Sequence, residues 1–150
     1  MPLVRHSDIR AILLSGFTAG TMDIGAACLI YNVGPIIVLQ AIAAGQLGDR
    51  SYSEGATSAV LGLTLQWAMS CLIASIYVVA ARRLPVLNRR WLASGLVYGV
   101  IVFVVMNYVV VPLSAVGKHP TFTTRTLIGN LLAMFLFGLV ISFIEHRRPS

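Results

Sequence analysis

The 150-residue chain is 57% hydrophobic and 11% charged, with a net charge of +6, whereas a soluble domain carries roughly 25% charged residues. Uncharged runs cover 55–81, 91–117 and 126–144, and the stretch 11–48 holds a single charge, Asp23. These proportions exclude a soluble enzyme, a nucleic-acid-binding domain and a disulfide scaffold, and leave a small polytopic membrane protein organised as one domain.

A bilayer core of about 30 Å needs about 20 apolar residues in a helix. The first run that meets this length predicts a span over 11–31, behind a basic segment holding Arg5 and Arg10. It reads as an uncleaved transmembrane helix. A signal peptide would have Asp23 inside its apolar region, and the run is too long for one. A carboxylate at mid-helix costs about 2.5–3.5 kcal/mol on insertion scales, so Asp23 is expected to face the bundle, find partners or be protonated. Gly16, Gly20, Asp23 and Ala27 share one helical face, and the GxxxG pair lets another helix approach closely.

Asn32-Val33-Gly34-Pro35 breaks this helix, and Pro35 suits the first position of a new one. The apolar segment 35–47 is long enough for about 20 Å of helix. That is too short to span, so an interfacial or re-entrant helix is expected, ended by Gly45 and Gly48. The polar connection 49–54 follows.

A second span is predicted over 56–81, with Gly62, Gln66, Ser70 and Tyr77 in one stripe. Cys28 and Cys71 fall inside apolar runs and read as small hydrophobes. The loop 82–90 holds Arg82, Arg83, Arg89 and Arg90 and no acid. It is expected on the cytoplasmic side as a topology signal, with attraction to anionic lipid headgroups. A third span over 91–111 carries Gly95, Gly99 and Asn107, and Pro112 is expected to end it. The connection to the last span has Lys118-His119-Pro120 at its tip. The last span, over 126–144, carries Thr126 and Asn130. Equal depth pairs Asp23 with Gln66 near the bilayer middle and sets Asn107 with Asn130 in a second, external layer.

Eight Lys and Arg residues fall on the side of the two termini and three (Arg50, Lys118 and Arg125) on the other. Positive-inside then places both termini in the cytoplasm. The predicted fold is all-α, a bundle of four transmembrane helices plus the short helix at 35–47. A two-fold pattern runs through it. The first and third spans both start inside, carry GxxxG and run into a proline, as parallel transporter repeats do. Two short motifs do not by themselves establish a repeat.

No catalytic constellation is visible. His6, His119 and His146 lie in tails or a loop, and no metal-ligand cluster, phosphate-binding loop or nucleophile–base pair is spaced for chemistry. No metal, cofactor or nucleic acid is expected. The expected partners are membrane lipid and, through the GxxxG faces, a second copy or another membrane protein.

The phrases Ala19-Gly20-Thr21-Met22-Asp23-Ile24, Val38-Leu39-Gln40-Ala41-Ile42-Ala43-Ala44-Gly45, Arg83-Leu84-Pro85 and Met106-Asn107-Tyr108-Val109-Val110-Val111-Pro112-Leu113-Ser114-Ala115 resemble a group of uncharacterised small bacterial four-span inner-membrane proteins. A more distant similarity is to YagU-type inner-membrane proteins, which share a Gly-rich first helix and a run into Pro-Leu. The resemblance implies four spans and an inner-membrane address and assigns no activity. Relatives often carry histidine near the places of Gln66 and Ala133, where this chain has none, while Asp23 matches the pattern. The expected role is that of a non-enzymatic accessory or interaction component. Two alternatives stand beside it: a small proton- or ion-coupled transporter or channel using Asp23, and a lipid- or quinone-binding protein using 35–47.

Overall fold

The computed structural model describes residues 5–148. It is helical, in the order α1 (His6–Tyr31), α2 (Pro35–Leu47), a 3-10 turn (Gly48–Ser53), α3 (Ala56–Arg83), α4 (Pro85–Arg89), α5 (Trp91–Val105), a π-helical turn (Met106–Val110), α6 (Val111–Leu113) and α7 (Thr124–His146). Four helical stretches are long and apolar enough to cross a membrane: His6–Tyr31, Ala56–Arg83, Trp91–Leu113 and Thr124–His146.

Local chemistry explains where these helices start and stop. Asp8, three residues into α1, accepts the Arg5 backbone N–H at 2.6 Å, so the helix starts at His6 rather than at the predicted position 11. Asn32 closes α1 in the left-handed conformation (φ 53°), which Asn tolerates better than most residues. Pro35 opens α2 and Gly48 caps it, matching the predicted 35–47, while Gly45 lies inside the helix instead of ending it. Thr123 caps α7 by accepting from the Thr126 N–H, so the helix starts at Thr124, two residues before the predicted start. The basic loop is not wholly irregular, because Pro85 starts the short helix α4 inside it.

Pro112 does not end the third span. Helical backbone continues to Leu113 through the widened π turn, in which the Val111 N–H bonds to the Met106 carbonyl five residues back. A proline ring collides with the carbonyl four residues before it. Opening the turn is one way to relieve that collision.

The helices pack in pairs. α1 lies against α3 and α7, α5 lies against α7, and α2 lies against α3. A first carbon at Gly16 would sit 2.6 Å from Cys71 Sγ and 2.8 Å from Cys71 Cα, and one at Gly20 would sit 2.6 Å from Ser70 Oγ. Gly99 presses on the backbone of Met134 and Phe135, and Gly138 on that of Gly95 and Gly99. Each GxxxG pair is therefore used within the chain, the first joining α1 to α3 and the second joining α5 to α7.

Apolar side chains cover the outside as well as the core, and small polar ones are buried between the helices. Leu14, Leu29, Val60, Leu72, Ile101 and Leu132 face outward, while Ser15, Ser58, Ser70 and Ser142 are buried. Hydrocarbon gives no reward for hiding apolar side chains, so close packing of small residues and interhelical hydrogen bonds hold such a bundle. The core of Ala19, Ala74, Tyr77, Ala81, Val102, Phe137 and Ile141 lies from the bundle middle toward the end that holds the start of α1 and the end of α7. The half nearer α2 is hollow.

Candidate functional site: an apolar cavity and a buried charge cluster

The hollow half encloses an open cavity of about 1020 Å³. α1 contributes Asp23, Ile24, Ala27 and Tyr31, and α3 contributes Leu65, Gln66, Met69, Ser70 and Ile73. Val102, Phe103, Met106 and Asn107 come from α5 and the π turn, and Asn130, Met134 and Phe137 from α7. α2 lines it along its length, from Ile37 and Val38 to Gly45 and Gln46.

α2 is fixed in place by polar contacts at both of its neighbours. Gln40 Nε2 donates to the Gly55 carbonyl at 3.1 Å, Ser51 Oγ donates to the Gln40 carbonyl, and Ser58 Oγ donates to the Ser51 carbonyl at 2.6 Å. Its far end accepts the Ala115 N–H on the Gly45 carbonyl at 2.8 Å. Gly62 of α3 meets the Leu39 backbone so closely that any side chain there would strike it. Helix α2 thus ties the start of α3 to the loop after α6 beside the cavity.

Asp23 and Gln66 meet as equal depth predicts. Gln66 Nε2 donates to Asp23 Oδ2 at 2.9 Å and lies 3.4 Å from the Gly20 carbonyl. Asp23 is half-buried on the cavity wall. Ser70 lies one turn further on, against Gly20. Trp67 Nε1 donates to Thr21 Oγ1 at 3.2 Å on the flank of the same contact.

Asn107 and Asn130 both line the cavity but do not form the expected pair. Asn107 Nδ2 donates to the Phe103 carbonyl of its own helix at 2.9 Å, at the point where the backbone ladder widens. Asn130 Nδ2 donates to Tyr31 Oη at 2.8 Å and to the Thr126 carbonyl at 2.7 Å. The π turn shifts the helical register ahead of Asn107's neighbours, so a 3.6-residue period does not give its direction.

Beneath the cavity, Tyr98 Oη donates to the Ile73 carbonyl at 2.6 Å, and its ring lies 5.0 Å from that of Tyr77. Further toward the termini is a charge cluster that sequence reasoning missed. Asp8 and Glu145 are each only 2% exposed. Arg82 of α3 bonds Asp8 at 2.9 Å, and Arg148 reaches the other Asp8 oxygen. Arg148 also lies 3.0 Å from Glu145, in an ion pair without an aligned N–H···O bond. The cluster joins α1, α3 and the end of α7. Arg82 therefore does more than mark topology, whereas Arg83, Arg89 and Arg90 are exposed as expected of a basic loop. Beside the cluster, His146 stacks on Trp91 at 5.8 Å and contacts the Asn88 carbonyl through Nδ1 at 2.9 Å.

Among the described residues no three His, Cys, Asp or Glu side chains converge as metal ligands, and Cys28 and Cys71 are free thiols. The arrangement has two parts. One end is sealed by close packing and paired charges. The other is an apolar chamber with one carboxylate part-way down its wall. No family model matches the chain, and neither a curated protein nor a solved structure matches it.

Proposed function

We propose that the chain is a multi-pass protein of a bacterial inner membrane, with both termini in the cytoplasm, that binds a small molecule of largely apolar character in the cavity beside α2. The cavity carries this reading: about 1020 Å³ of space, walled mainly by Ile, Val, Leu, Met and Phe with a few polar groups placed among them. Ligand sites have this composition, a mostly apolar wall and a small number of polar groups that set orientation. A closed interior would have supported a purely accessory role, and the hollow half shifts the weight to binding. Binding needs no catalytic group, and the protein is proposed to hold its ligand rather than transform it. In this placement α2 lies in the outer interfacial region.

Carriage of the ligand across the membrane is a second reading. One feature favours it: Tyr77, Tyr98 and the Asp8–Arg82–Arg148–Glu145 cluster, packed in the half away from α2, do not line the cavity, which lies to one side of the bundle. A carrier alternates between such one-sided states.

The test is photolabelling in lipid nanodiscs with a small neutral aryl diazirine, followed by peptide mapping. Labelling should concentrate on Met69, Ile73 and Met106 and be lost in Ala27→Trp, whose side chain fills the chamber. Labelling confined to outward residues such as Leu29 and Leu132 would overturn the binding reading.

A further inference from the structure

We infer that the occupant of the cavity is an organic cation, an apolar body with one positively charged head that pairs with Asp23. The inference rests on the cavity being a binding site, as proposed above, and adds the charge of what it binds.

The charges of the described residues are distributed unevenly. Asp8 and Glu145 have arginine partners at the opposite end of the bundle. Asp23 lines the cavity, and no Lys, Arg or His side chain lines it. One oxygen of Asp23 is taken by the Gln66 amide, and Oδ1 has no protein hydrogen bond among the described residues. A carboxylate in an apolar wall is held charged most effectively by a nearby cation. None of the residues lining the cavity supplies that cation, so an occupant that brings one is favoured. Phe103, Phe137 and Tyr31 add aromatic surface to the wall, which attracts a cation further through the ring quadrupole.

The same features disfavour the other occupants. A fatty acid or an anionic lipid headgroup would bring a second negative charge beside Asp23 with no basic residue to offset it.

The experiment uses the full chain in nanodiscs, with empty nanodiscs as the blank. Equilibrium dialysis compares three probes of similar shape: tetraphenylphosphonium, neutral triphenylphosphine oxide and anionic tetraphenylborate. The phosphonium should bind saturably, one per chain, and D23N should weaken it by about tenfold or more, with D23E restoring most of the loss. The phosphine oxide should bind wild type and D23N alike, which also reports that D23N is folded. The borate should bind above the blank in neither. Equal phosphonium binding by wild type and D23N, or borate binding as tight as phosphonium, would overturn the cation inference and leave the cavity reading standing. Binding of no probe at all would overturn both.

Discussion

Arg148 is the residue on which most charge depends, because its guanidinium reaches two carboxylates on different helices. Removing one partner of a buried ion pair costs about 3–5 kcal/mol when a charge is left unpaired. Arg148→Ala leaves Glu145 without its arginine and Asp8 with Arg82 alone. A loss in that range is expected in reversible unfolding with mixed detergent micelles, whereas Arg83→Ala, at an exposed position, should stay within about 0.5 kcal/mol. Gln66→Leu should be mild by the same assay, because interhelical hydrogen bonds in membranes average only about 0.6 kcal/mol. The Asp23–Gln66 contact was legible from residue type and depth, since few groups in a span can answer a carboxylate. The Asp8–Glu145 cluster was not. Both acids sit in terminal turns, where they read as ends of spans rather than as contents. Their arginines come from 74 and 3 positions away, and only the packed bundle brings the four together.

At the level of elements, glycine contacts outweigh polar ones. Gly99→Ala places a carbon 2.9 Å from the Met134 carbonyl carbon and 3.1 Å from Phe135 Cα, and backbone cannot yield as a flexible side chain can. A destabilisation of about 1–3 kcal/mol follows from such overpacking. Gly25 has nothing within 4 Å of the same position, so Gly25→Ala should be neutral or stabilise by up to about 1 kcal/mol through helix propensity. The matched pair is checked by unfolding both variants side by side. Helix number and the limits of α2 were readable because apolar length, Asn-x-Gly-Pro and a capping glycine are local signals. The π turn was not readable. Pro112 announces an interruption, but whether a helix stops or widens there depends on the neighbours that hold the next turn, and Leu113 and Ser114 are held near α2 through Ala115.

For the molecule as a whole, the Asp8–Arg148 contact brings the start of α1 and the end of the described residues together at one end of the bundle, in line with four long helices that alternate in direction. Reporter fusions check the proposed orientation. A reporter that is active only in the cytoplasm should work when fused after Arg148 and fail when inserted at Lys118, and the reverse pattern would invert the assignment. The hollow half was the least legible feature, because a cavity is a property of how four surfaces fail to meet, and no single run of residues encodes it. The position of Arg148 also bears on biogenesis. This arginine is translated after every one of the four spans, so the bond that seals α7 to α1 forms only when all of them have left the ribosome. Packing of the helices through their glycine faces can begin before that, which makes this ion pair a late link in the bundle rather than its first.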